Sequence, residues 1–157
     1  MSETSLRPDD PELEFLRRRL VSRQWAGFLA ALAGELTAMA DSGGAAAFMR
    51  ATGARIARQH SLGGLETLEA LEEQINIVLT GMEWGWARLT AAEDHIVITH
   101  GACPNVLEHD VDQSWPPLMA EVLGGAYGAW LAAQGSPGAT TVCRDPMARP
   151  LVFEHKA

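Results

Sequence analysis

Several scarcities in this chain of 157 residues each rule out a class of protein. It has two cysteines, Cys103 and Cys143. Two thiols fit free cysteines in a reducing compartment better than a disulfide framework. No apolar run approaches the roughly 18 residues of a membrane span. Met1 to Pro11 is polar and acidic, where a secretory signal would place an apolar core. The expected address is therefore the cytoplasm. Lysine is nearly absent, since eleven of the twelve basic residues are arginine and the other is Lys156. The one basic run, Arg17-Arg18-Arg19, is too short for a nucleic-acid patch, and a net charge of -8 repels phosphate backbones. No nucleic-acid partner is expected. The chain also lacks G-x-S-x-G, C-x-x-C, a P-loop and H-E-x-x-H. With no nucleophile beside an evident base, neither an enzyme nor a bound cofactor is expected.

What is present describes one globular domain. The chain is 47% apolar and 20% charged, with a mean hydropathy of -0.02. A chain of this size buries roughly 70% of its unfolded surface, enough for a core without staples. Charge is unevenly spread. Residues 1–60 carry eight basic and seven acidic side chains, and residues 61–157 carry four and thirteen. Such asymmetry helps orient copies in an assembly or attract a partner, although solubility alone also accounts for it.

Periodicity divides the chain into helices and strands. Asp10 and Pro11 open a short charged helix over about 11–22, which makes 1–22 an N-terminal extension ahead of a single domain at 23–157. Trp25, Phe28, Leu29, Leu32, Leu36 and Met39 recur at helical steps until Asp41-Ser42-Gly43-Gly44. A third helix, about 45–59, places Phe48, Ala51 and Ile56 inward and Arg50, Arg55 and Arg58 outward. A fourth, about 65–81, gathers Leu65, Leu68, Leu71, Ile75, Val78 and Leu79 on one side and Glu66, Glu69 and Glu73 on the other. Trp84–Leu89 and His95–His100 read as a hairpin. Ser114 caps a further helix whose apolar face runs from Leu118 to Leu131, and two strands follow at Thr140–Arg144 and Leu151–His155. The fold class is α+β: N-terminal helices packed with a small antiparallel sheet, and one further long helix between two hairpins.

Few constellations suggest chemistry. His95, His100, Cys103 and His109 lie close in sequence beside Asp110 and Asp112, but their spacing matches no closed zinc site. His95 and His100 would face opposite ways on a strand, so no metal is expected. Asp110-Val111-Asp112 spells D-x-D without the βαβ units that a nucleotide-sugar fold requires. Glu66, Glu69 and Glu73 read as a solvated helix face. Aromatic residues are more informative. Trp84 and Trp86, two apart on a strand, would share a side, and Tyr127 and Trp130 share a helix face. Such rings fill a core, or line a groove where flat faces stack on sugars. Gly124, Gly125 and Gly128 each cost about 1 kcal/mol inside a helix. Three together indicate the close approach of another backbone, in this subunit or in a neighbour.

These residues also carry a family resemblance. Trp84-Gly85-Trp86 after the helix ending Ile75-Asn76-Ile77-Val78-Leu79, and the run from Leu123 through Tyr127-Gly128-Ala129-Trp130 to Gln134, resemble the middle of the D subunit of bacterial cellulose synthase. The helix with Trp25, Phe28, Leu29, Leu32 and Glu35 is similar to that family's first helix. The resemblance covers about residues 24–145. It implies a non-catalytic accessory factor of cellulose production that forms a ring-shaped homo-octamer built from dimers. Nascent β-1,4-glucan chains pass through that ring beside the membrane-bound synthase complex and its other accessory subunits. It further implies that the segment entering the first helix contacts glucan, at Arg23, Gln24 and Trp25 here, and it leaves about sixteen extra residues ahead of that point. Trp84, Trp86, Gly124, Gly125, Tyr127, Gly128 and Trp130 are the candidates for an oligomer or packing face. Two readings from other classes compete: a cytoplasmic small-molecule-binding sensor domain, and a metal-dependent enzyme using His100, Cys103 and His109.

Overall fold

A computed structural model describes residues 22–39, 42–107, 110 and 112–157. The charged helix expected over 11–22 lies outside the described residues. Helix α1 spans Arg23–Ala38, α2 Ser42–Gln59 and α3 Leu68–Gly81. Strands β1 (Trp86–Ala91) and β2 (Ile96–Gly101) form a hairpin, α4 spans Trp115–Ala133, and β3 (Thr140–Cys143) and β4 (Leu151–Lys156) close the chain. The strands make one antiparallel sheet in the order β1-β2-β4-β3. The α+β architecture is the one the periodicities predict.

Element boundaries differ where local chemistry outweighs the apolar pattern. Helix α2 takes Ser42-Gly43-Gly44 into its first turn instead of ending the preceding break there. Helix α3 starts at Leu68, because the Thr67 hydroxyl accepts the Ala70 N–H at 3.1 Å. Strand β1 starts at Trp86, not Trp84. Gly85 has φ +87°, and a Cβ there would strike the Gly101 and Ala102 carbonyls, so the chain turns at Gly85. At the start of α4 the Ser114 side chain makes no cap. The Asp110 carboxylate does that work, accepting the Ser114 and Trp115 N–H groups at 2.8 and 2.9 Å.

Helix α4 sits at the centre, between α2 and the inner face of the sheet. Its residues are buried nearly all round, including Leu118, Met119, Val122, Leu123, Ala126, Tyr127, Trp130 and Leu131. The buried residues of the sheet are Ala87, Leu89, Ile98, His100, Thr141, Leu151, Phe153 and His155, with β3 and β4 against α4 and β1 against α3. The face that α2 offers is not the expected one. Ala45, Met49, Gly53 and Ala57 point inward, whereas Phe48 and Ala51 are exposed. Small residues win because the two helix backbones touch. A Cβ on Gly53 would overlap the Val122 carbonyl, and one on Gly125 would overlap the Arg50 carbonyl. The second backbone inferred from the α4 glycines is therefore α2 of the same subunit.

Side chains from the helices occupy both edges of the sheet. On β1, the Asn76 amide donates to the Ala87 carbonyl and accepts the Ala87 N–H, both at 2.8 Å, and Glu72 accepts the Leu89 N–H at 2.6 Å. On β3, Arg50 donates to the Thr141 carbonyl at 2.7 Å and holds Glu121 of α4 at 2.6 Å. The sequence pattern puts Arg50 on the outer side of its helix; it reaches across α4 to the sheet instead. The outer face of the sheet, with Trp86, Arg88, Thr90, Thr140, Val142 and Lys156, is exposed.

These contacts predict that Gly53→Ala and Gly125→Ala each destabilise the subunit by about 1–3 kcal/mol through overpacking. Gly128→Ala, which meets only the Thr141 hydroxyl at 3.3 Å, should cost less. Urea unfolding of the three variants checks the order.

Candidate functional site

The residues expected to contact a ligand at the start of the first helix are together and open to solvent. Ser22 precedes α1 without a side-chain cap, and Arg23, Gln24 and Trp25 are exposed. The apolar stripe of α1 divides in two. Ala33 and Leu36 in its C-terminal half are buried against the body of the subunit. In its N-terminal half Trp25 is 56% and Phe28 60% exposed. Their rings meet edge to face with centroids 6.1 Å apart. Phe28 joins Trp25 as the main apolar surface of this half-helix, a pairing that the even stripe in the sequence did not separate from core.

The two motifs nearer the centre divide differently. Trp84 and Trp86 do not share a strand face, because the turn at Gly85 comes between them. Trp84 is half-buried against the core. Trp86 is 46% exposed on the outer face, and its ring occupies the space a Cβ on Gly101 would need. Gly101 is therefore the seat on which an exposed indole lies flat. Gly124, Gly125, Tyr127 and Trp130 are buried inside the subunit and Gly128 is half-buried there. They form an internal packing face rather than an external one. Tyr127 is fully enclosed, with its ring against Trp130, Phe153 and His100. Trp130 donates its indole N–H to the His60 carbonyl at 3.0 Å.

His100 is the partner that sequence spacing missed. Its Nδ1 lies 2.6 Å from the Tyr127 hydroxyl, 27 positions along the chain. Burial pushes the imidazole pKa down to about 4. Burial also lowers His155, whose Nδ1 lies 2.8 Å from the Thr141 hydroxyl. The Nε2 atoms of both rings are buried without a hydrogen-bond partner. These are neutral core histidines. Burial pushes the Tyr127 hydroxyl and Cys143 thiol above their ordinary values and Cys103 up to about 11, so both thiols stay protonated.

The proposed metal set does not assemble among the described residues. His95 pairs with Asp94 at 2.7 Å in the turn before β2, while His100 is held in the core by Tyr127. No group of three His, Cys, Asp or Glu side chains there is placed to hold an ion. His109 and Val111 lie outside the described residues. For a sensor, an open cleft of about 580 Å³ lies between the β1–β2 turn, the loop after α4 and the end of β4. No helix among the described residues is long and apolar enough to cross a membrane.

The described residues thus make an α+β module whose distinctive equipment is exposed apolar surface, on half of α1 and on the outside of the sheet. The chain belongs to the family of the cellulose synthase D subunit, whose model matches residues 11–154. That membership gives it a role in cellulose biosynthesis, alongside other components of the synthase. The match also takes in residues 11–22, read above as an extension. No curated protein sequence matches the chain.

The buried histidines set an acid limit on stability. Between about pH 6.5 and 4 the unfolded chain binds a proton at His100 that the folded chain excludes. Stability is therefore full above about pH 6.5 and falls as pH drops towards 4, by up to about 3 kcal/mol for this residue. Urea midpoints measured across that range should fall with pH, and His100→Gln should flatten the slope, leaving the contribution of His155 in the same direction.

Proposed function

We propose that the protein is a non-catalytic accessory subunit that assembles into a ring-shaped homo-oligomer, an octamer built from dimers. In this reading the ring organises nascent β-1,4-glucan chains for export and crystallisation beside the membrane-bound synthase, on the cytoplasmic side. One observation carries it: the N-terminal half of α1 projects Trp25 and Phe28 into water in the isolated subunit. Surfaces of that kind mark contact sites. Membership of a cellulose synthase family supplies a setting in which such contacts involve copies of the chain, other synthase components or the product itself.

Both aromatic rings serve assembly, and Arg23, Gln24 and the open side of the Trp25 indole also serve the glucan. Arg23 and Gln24 offer hydrogen-bond donors and an acceptor to sugar hydroxyls, and the indole of Trp25 offers an apolar face to a pyranose ring. A conduit has to release a moving polymer, so a few shallow contacts suit it better than a deep pocket.

Light scattering of the purified protein tests the assembly directly. The expected mass is that of an octamer, and a stable monomer at micromolar concentration overturns the ring. Trp25→Ala with Phe28→Ala should lower the mass while leaving the helical signal of each subunit intact, because neither ring is in the subunit core. Arg23→Ala with Gln24→Ala should preserve the assembly and reduce cellulose yield or order in cells. Unchanged yield and crystallinity would remove glucan contact from these two residues.

A further inference from the structure

A ring built from dimers needs two different contacts between copies, and α1 provides one. We propose that the second is the outer face of the sheet, which docks on the α3 helix of another copy of this chain. Arg88 meets Glu73, and Trp86 meets Ile77. The inference rests on the homo-oligomer proposed above.

Charge is the first support. The protein as a whole carries -8, yet the outer face of the sheet presents Arg88, Arg144 and Lys156 against one acid, Glu154. Glu154 is taken by Arg144 at 2.6 Å. Arg88 makes no ion pair among the described residues, so this face is a basic island on an acidic molecule. Helix α3 has the opposite character. It contains Glu69, Glu72 and Glu73 and no basic residue. Glu72 is engaged with the Leu89 N–H, which leaves Glu69 and Glu73 in solvent. Each surface lacks at home the charge that the other supplies.

Apolar exposure is the second support. Ile77 is 58% exposed, one helical turn beyond Glu73, so Glu69, Glu73 and Ile77 form one outward stripe. On β1, Trp86 and Arg88 point to the same side. The spacings agree: two strand residues span about 6.6 Å, and four helical residues rise about 6 Å. An aromatic–basic pair on the sheet thus faces an aliphatic–acidic pair on the helix at the same separation. The Trp86 ring is already fixed on Gly101, so docking costs it little rotamer freedom.

Area favours a reciprocal arrangement. A stable dimer buries roughly 800 Å² on each partner, more than a stripe on a 14-residue helix offers alone. Strand β1 and helix α3 are neighbours in one subunit, so a two-fold contact lets each copy give both surfaces at once.

The test is a charge exchange read by mass. Arg88→Glu and Glu73→Arg change exposed side chains, and each should keep the subunit folded while lowering the assembled mass at least two-fold. In an equimolar mixture of the two variants, one of the paired contacts sets the substituted acid on the sheet against the substituted base on the helix. The other sets native Arg88 against native Glu73. Opposite charges then face each other in both, and the mixture should regain the wild-type mass. A variant that keeps the wild-type mass, or a mixture that does not recover, overturns the contact. A monomeric wild-type protein would sink the homo-oligomer as well, whereas a wild-type oligomer indifferent to both substitutions sinks this contact alone.

Discussion

The close approach of α2 and α4 governs the rest of this structure. Gly53 and Gly125 bring the two backbones into contact, each glycine against a carbonyl of the opposite helix. That depth of approach lets the Arg50 side chain pass α4 and bond to the Thr141 carbonyl on β3, with Glu121 beside it as counter-charge. One arginine thereby links two helices and the sheet. The same approach presses α4 onto the inner sheet face, where Tyr127 meets His100 and Phe153. A larger side chain at either glycine would push α2 away from α4 and loosen the Arg50 bridge to the sheet.

The sequence was most legible where one period sufficed. The stripe of α4 and the apolar side of α3 follow from spacing, because each helix buries the side that its own residues define. Helix α2 was harder. Its larger residues suggest one buried face, but Phe48 is exposed and Ile56 only partly buried, while Ala45, Met49, Gly53 and Ala57 meet the partner helix and the core. Burial there is set by the shape of the neighbour, which the residues of one helix do not specify. Trp84 and Trp86 depart from strand alternation for a local reason, since alternation assumes extended backbone and Gly85 leaves it. The pairing of His100 with Tyr127 joins distant parts of the chain and has no signal in spacing at all.

Helix α1 makes a related point about the candidate site. An apolar stripe says that one side of a helix avoids water, and does not say what covers it. The C-terminal half of this stripe is covered by the subunit, at Ala33 and Leu36, and the half with Trp25 and Phe28 is not. A sequence reader sees one helix, while the fold separates it into a part that belongs to the subunit and a part that faces outward.

The side chains on the two sheet edges bear on how a protein of this kind can accumulate. Free strand edges are templates for unlimited pairing between chains. Asn76 and Glu72 occupy the backbone groups of Ala87 and Leu89 on one edge, and Arg50 occupies the Thr141 carbonyl on the other. Growth by strand addition is obstructed at both ends, and associations are left to side-chain surfaces whose extent is finite. Crowding such subunits together would then favour contacts of limited extent over open-ended cross-β fibrils of the protein.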